Sequence, residues 1–475
     1  MKRPIYILCF LILQSLLFIN QLHAQLTFSP YSRYGLGELN GNEFAPAKGM
    51  GGIFIGLKPD TAAPVFINIA NPAAIAGIRL TTLELGGHTQ FTEFNNGTAA
   101  IKTRNINFSY AAMGIPLKQR AALSFGIMPH SNVGYNLRST VFTETIGDVK
   151  YEYTGEGGIN KVFMGIGINP FRKMLVNFYR SAYKDSLVKT KQTQVYKRKK
   201  LSKELLSELS VGARADYLFG SILHTSSVIY PNANNYYNTR RYRAVSFKDV
   251  TGSFGLQTSF TIDSVKNREL RKKVKVAFGY FMNLGNTINV KNSTLAYNYS
   301  LNDFGNELAK DTFIFVNDNP NTIRLPMEQG FGVSLRKGDM IAVAAEAAYT
   351  NWSQFRYLGS ATELKNSFRV AAGINFIPNK NSAGASAYLK RIQYRIGGFY
   401  KTGSLELNNT EIVNYGLTVG LGLPVGVYRQ FSVVNISAQL GEMGSINNNL
   451  VRERYAKIVL GFTFNDKWFN KFRYD

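Results

Sequence analysis

The chain has 475 residues, with 55 Lys and Arg against 30 Asp and Glu, which leaves a formal charge of +25. A nucleic-acid partner is the usual first thought for that balance. An exported protein rarely meets one, so no nucleic acid is expected, and anionic lipid headgroups or lipopolysaccharide phosphates suit the address better. Cys9, the single cysteine, lies inside that signal, which excludes disulfides and a lipid-bearing cysteine from the exported chain.

Residues 1–24 read as a signal peptide: Lys2 and Arg3, an apolar core from Ile5 to Ile19, and a polar tail ending at Ala24. The core is shorter than the ~20 residues a membrane-spanning helix needs. Residues 25–77 follow as a Gly- and Ala-rich stretch that closes on "NIANPAAIAG", Asn68 to Gly77.

From Ile78 onward the commonest unit is roughly ten residues of apolar/polar alternation followed by a polar break, a period of two and not 3.6. "VNYGLTVGLGL" shows it: Val413, Tyr415, Leu417, Val419, Leu421 and Leu423 share one face, and small or polar residues share the other. Strands are expected at 79–94, 106–112, 121–135, 162–168, 209–219, 254–262, 274–284, 331–335, 341–349, 368–376, 392–400, 413–423, 434–440 and 456–464. That is fourteen, an even number. A soluble sandwich shows the same period. Short turns ("PLKQR", "KGD", "PVGVY") alternating with long segments (136–156, 225–242, 301–322), together with 27 Tyr and 33 Phe, favour a transmembrane barrel with interfacial girdles. With no second apolar helix, spanning lipid requires a closed sheet.

Two additions break the pattern. Within an insert at 170–206, residues 172–203 hold eleven Lys and Arg against Asp185 alone. One reading is a solvated insert. The other is an amphipathic helix built on Leu175, Phe178, Tyr179 and Ala182, lying on headgroups or docking a periplasmic protein. The tail 466–475 continues past the last strand, which closes the barrel region 78–465.

Catalytic and metal signals are weak. The His residues at 23, 88, 130 and 224 have no partners at metal-ligand spacing, so no metal or cofactor is expected. "GLGELNG" and "GLGLPVG" lack the spacing and strand-then-helix context of a phosphate loop. No nucleophile stands out, and the chain does not read as an enzyme.

Three stretches resemble the long-chain fatty acid transporter (FadL) family of outer-membrane barrels. The first is the N-terminal region with Asn71, Pro72 and Ala73 just ahead of strand one. The second is "LPMEQGFGVSLRKGDMIAVAAEAAYTNWSQF", with Trp352 and Ser353, and the third is "SFRVAAGINF" with "YRIGGFYKTG". The resemblance implies an all-β, 14-stranded antiparallel barrel, monomeric, in the outer membrane of a Gram-negative cell. An N-terminal hatch would plug its lumen. It also implies passive passage of a hydrophobic small molecule, leaving sideways where strand three kinks. Gly126, Pro129 and Gly134 are the residues for that kink, since proline cannot donate to a sheet ladder; a proline at a strand end is the other reading. Glu346, Trp352, Arg369, Arg391 and Arg395 are expected on the lumen side, contacting ligand or tying the hatch to the wall. The insert and tail favour a second function: a FadL-like accessory subunit of a secretion or assembly complex.

Overall fold

The computed structural model describes residues 29–58, 66–117, 120–171, 204–231, 236–262, 274–302, 304–382, 384, 387–425 and 432–466. The signal peptide, residues 172–203 of the insert and residues 467–475 of the tail lie outside them.

Fourteen antiparallel strands form one ring: β1 (Thr81–Asn95), β2 (Ala100–Leu117), β3 (Ala121–Thr143), β4 (Gly147–Ile168), β5 (Ser210–Ile229), β6 (Asn238–Ile262), β7 (Val274–Asn283 and Thr287–Leu301), β8 (Glu307–Arg324 and Met327–Lys337), β9 (Ile341–Asn351), β10 (Ser367–Phe376), β11 (Gln393–Lys401), β12 (Asn414–Val425), β13 (Ser432–Met443) and β14 (Arg452–Asp466). The first and last strands pair along their length, from Thr81 opposite Asp466 to Asn95 opposite Arg452. That closure rules out the sandwich, which would keep two edges per sheet.

Alternation then decides which face is wet. Residues directly opposite across an antiparallel pair point to the same side. Val343, Ile374, Ile396, Val419, Ala438, Ile458, Thr89 and Ile106 therefore form one outward row running from β9 through β14 and β1 to β2. Above this row, Leu417 and Leu440 are 72% and 63% exposed. Higher still, Tyr400, Tyr415, Glu442, Arg454, Glu93 and Lys102 make a tyrosine-and-charge row, with Arg454 Nε 2.8 Å from Glu442 Oε2. An apolar band bounded by such a row is the lipid-facing surface of a membrane barrel. Val419→Arg, in the apolar row itself, should therefore cost about 2–4 kcal/mol of unfolding free energy in lipid vesicles. Phe315→Arg, on the far part of β8, should change it little, and equal effects would contradict this depth assignment.

The expected long loops are corrected. Residues 136–156 form the β3–β4 hairpin, which turns only between Thr143 and Gly147; 225–242 and 301–322 fall largely within β5, β6 and β8. Strands β3 to β8 thus rise beyond the ring as a six-stranded sheet. Their upper parts face solvent on one or both sides, as β8 does almost throughout Glu307–Arg324. The two-residue hydrophobic period fades there even though the strands continue. Inside this raised sheet Leu36, Val133, Leu218, Phe247, Ile323 and Phe355 pack together.

Candidate functional site: the lumen and the break beside strand three

The N-terminal segment before β1 bonds to strands on every side of the ring, which only a chain lying within it can do. Ser437 Oγ of β13 donates to Ala45 O at 2.7 Å, and Gly51 N donates to Thr418 Oγ1 of β12 at 2.7 Å. Arg369 of β10 donates to Gly51 O and Gly52 O at 2.8 and 3.1 Å. Glu346 Oε2 of β9 accepts from Phe54 N and Ile55 N, both at 2.9 Å. Ser334 Oγ of β8 donates to Gly56 O at 2.8 Å, and Ile67 N donates to Glu84 Oε1 of β1 at 2.8 Å. Arg214 of β5 donates to Ile69 O.

Asn71, Pro72 and Ala73 sit at the start of a fully buried 3₁₀ turn, Pro72–Gly77. Asn71 Oδ1 caps it by accepting from Ala73 N at 3.1 Å, and Asn71 Nδ2 donates to Ile55 O at 2.8 Å, so one side chain holds two parts of the segment together. Pro72 occupies the first helical position, where its missing N–H costs nothing. Asn71→Ala removes both bonds and should lower stability by about 1–2 kcal/mol. Asn71→Asp, which keeps the cap but turns a carboxylate oxygen onto Ile55 O in a fully buried site, should lose at least as much in the same thermal unfolding measurement.

The wall beneath this turn is bare. Gly167, Gly212 and Gly255 lie directly opposite one another on β4, β5 and β6, and a Cβ on any of them would overlap Ala76, Pro72 or Asn71. Gly279 and Gly332, paired across β7 and β8, make the same room for Ile55, and Gly373 and Gly397 make it for Met50.

Charged groups are paired within this packing. Arg369 Nη1 lies 2.5 Å from Glu346 Oε1, whose side chain is fully shielded from solvent. Arg214 makes a two-pronged contact to Asp216, at 2.7 and 2.8 Å, and Lys161 lies 3.8 Å from Asp216 and donates to Asn42. A cavity of about 310 Å³ remains above the segment, lined by Lys48, His130, Lys161, Asp216, Lys401 and Lys457 among others. Burial, with Lys457 nearby, pushes the Lys48 ammonium down to about 8, and burial pushes the Glu38 carboxyl up.

The other residues singled out from sequence are scattered. Trp352 is buried, with its ring 5.5 Å from Phe355 in the upper cluster. Arg395 donates to Asn435 Oδ1 at 2.9 Å and to Gln393, bonding wall to wall. Arg391 is corrected: it ends the short helix Tyr388–Arg391 ahead of β11, its guanidinium 5.3 Å from the Tyr388 ring. The strand itself starts two residues later, at Gln393. Lys161, Lys401, Lys457 and Glu84 were missed, although Lys457 and Glu84 each sit between outward apolar neighbours on their strands.

Strand three parts from β2 after Ile127, and its register against β4 shifts just past Pro129. β2 and β3 pair only from Leu117 opposite Ala121 to Ala111 opposite Ile127. Beyond that β3 turns inward, burying Met128, Val133 and Tyr135, while a bulge between Pro129 and Ser131 shifts its register against β4. A Cβ on Gly126 would overlap Ala111 O, and Gly134 exchanges bonds with Ser29 and Ser32. The bend continues into β4 and β5, where Gly157 and Gly220 adopt φ of 99° and 131°, left-handed conformations that favour glycine. The freed edge of β3 is taken up by Glu38 and Leu39, opposite Asn132 and Ser131. Among the described residues no strand takes the facing edge of β2.

A fourteen-strand ring entered by its own N-terminal segment and broken beside strand three defines a FadL-type membrane β-barrel. The fold is shared with the toluene transporter TodX of Pseudomonas putida at 13% identity and TM-score 0.51, over 91% of this chain and 100% of that one. It is shared with the CymD monoaromatic hydrocarbon channel at 12% identity and TM-score 0.50, over 92% and 100%. A Pseudomonas aeruginosa FadL homologue aligns at 12% identity and TM-score 0.49 over 90% and 99%. The first two are described as a transporter and a channel. No curated protein matches the sequence. The chain belongs to the BamG family, whose model matches residues 1–197 and 194–475.

Proposed function

We propose that the protein is a plugged outer-membrane barrel acting as a FadL-like structural subunit of a secretion or assembly complex, with its N-terminal segment as the hatch. The observation that carries this is the raised sheet of β3 to β8. It stands clear of the ring, leaves β8 from Glu307 to Asn321 paired with β7 alone among the described residues, and exposes Phe142, Phe304 and Phe315 at 72%, 88% and 75%. Free strand edges and exposed aromatics beyond the lipid band are surfaces for protein partners. The hatch supports the same role, because a segment held by buried ion pairs and a glycine floor is a fixed part of the wall. Purification from native membrane in mild detergent tests the reading: stoichiometric protein partners should accompany the barrel, and Phe304→Asp with Phe315→Asp should weaken their retention without altering barrel folding. A monomer carrying only lipid would refute it.

The break beside β3 favours a second reading, passive passage of a hydrophobic small molecule that leaves sideways between β2 and β3. An acyl chain gains about 0.8 kcal/mol per methylene buried on the way. Vesicles holding the purified barrel should then take up a labelled fatty acid faster than empty vesicles, and straightening β3 with Pro129→Val should slow that uptake. Equal rates would dispose of this reading.

A further inference from the structure

We propose that the lipid-facing wall carries a seat for one phosphate-bearing membrane lipid, with the phosphate on Arg104 and Lys102 of β2 and an acyl chain in the groove across β14 and β13. The proposal holds or fails independently of partner binding and of passage through the lumen.

Arg104 is the cation that the bilayer does not explain. It lies opposite Phe91, and that row continues through Ala456 and Leu440 to Leu417, so Arg104 leaves the barrel on the outward face at the height of two exposed leucines. A cation facing lipid is costly unless it reaches the headgroups or meets an anion. The nearby carboxylates are committed elsewhere: Glu93 lies 3.5 Å from Lys102, and Glu442 lies 2.8 Å from Arg454. The Arg104 guanidinium instead sits over the Phe91 ring, 5.3 Å from its centroid. A cation held against a ring keeps its N–H donors for the two-pronged grip that guanidinium makes on phosphate. Lys102, its side chain 80% exposed, stands one row higher on the same face of β2 and supplies a second cation.

A groove fits the rest of the lipid. Ala456 lies between Phe91 and Leu440, and a small side chain between two large ones leaves a hollow of about 1150 Å³ that continues past Leu417 to Tyr415. Lys102, Glu93, Arg454 and Glu442 stand along its upper rim. With Arg104 the rim holds three cations against two carboxylates, an excess that suits an anionic headgroup above an apolar trough. The chain itself leaves the groove open. The turns above it, 96–99, 402–413 and 444–451, lie wholly within the described residues, and none of them lines it. On this wall β12 and β14 run out of described residues only at the opposite end, at Val425 and Asp466.

The test uses the full-length protein, purified in mild detergent and stripped of lipid. It is mixed with phosphatidic acid or with diacylglycerol of the same acyl chains, and native mass spectrometry counts the lipid retained. The expected result is one phosphatidic acid per barrel, held about tenfold or more over the diacylglycerol and not displaced by inorganic phosphate. Arg104→Gln with Lys102→Gln should abolish that preference, and Arg104→Lys should keep part of it. Ala456→Phe, which fills the groove without touching a charge, should weaken retention of the phosphatidic acid. Arg138→Gln, at an exposed arginine on the raised part of β3, should leave it intact. Heat-modifiable migration shows that each variant is folded. Equal retention of the two lipids, or a preference that survives the double substitution, would overturn the proposal. Displacement by inorganic phosphate would overturn it too, since the site would then take the free anion and not the lipid.

Discussion

Gly212→Val should drive the N-terminal segment off the inner wall. Gly212 lies on β5 between Gly167 and Gly255, and the backbone of Pro72 and Ala73 rests where its Cβ would be. Overpacking a core typically costs about 1–3 kcal/mol because side chains shift to make room. Here the atoms in the way are backbone, in a turn pinned by Asn71, and the opposing glycines sit on a closed sheet that cannot yield locally. We expect a loss of about 3 kcal/mol or more, at the top of that range. Two measurements check it: thermal unfolding in detergent, and ion conductance across a planar bilayer, which should rise as the segment leaves the lumen. Gly97→Val, at a turn where a Cβ meets nothing within 4 Å but φ is 90°, supplies a control in which backbone strain acts without crowding. If Gly212→Val unfolds like wild type and stays closed to ions, the packing described here is wrong.

Arg369→Met should be comparably damaging, for an electrostatic reason. Glu346 is fully shielded, and its second oxygen is already committed to Phe54 N and Ile55 N. Removing the guanidinium leaves a buried carboxylate without its counter-charge, a change that usually costs about 3–5 kcal/mol. It also removes the donors to Gly51 O and Gly52 O. Glu346→Gln keeps an acceptor for the two amides and removes the charge, so Arg369→Met made on top of Glu346→Gln should cost clearly less than it does alone. A double-mutant cycle on detergent unfolding measures that coupling. Additive losses would mean that the pair contributes nothing to holding the segment.

The barrel was legible in the sequence because the bilayer simplifies the code. A strand with lipid outside and a polar lumen inside must alternate, and "VNYGLTVGLGL" could face oil in only one register. The count of fourteen followed from that rule, and so did the inward position of Glu346, Arg369 and Arg395. The rule fails where lipid stops. Residues 136–156, 225–242 and 301–322 looked like loops because strands beyond the lipid need not turn an apolar face outward, yet they build the raised sheet.

What the sequence by itself determined is the ring: its strand number, its lipid-facing side, and the small, proline-punctuated character of the segment ahead of it. Only the tertiary structure decided which groups meet inside. The pairing of Arg369 with Glu346 rather than with some other carboxylate, the alignment of Gly167, Gly212 and Gly255 under one turn, and the capping of the β3 edge by Glu38 and Leu39 depend on register between strands far apart in the chain. Alternation specifies which way each residue faces. It does not specify its height relative to residues on other strands, and the contacts of the lumen are set by height.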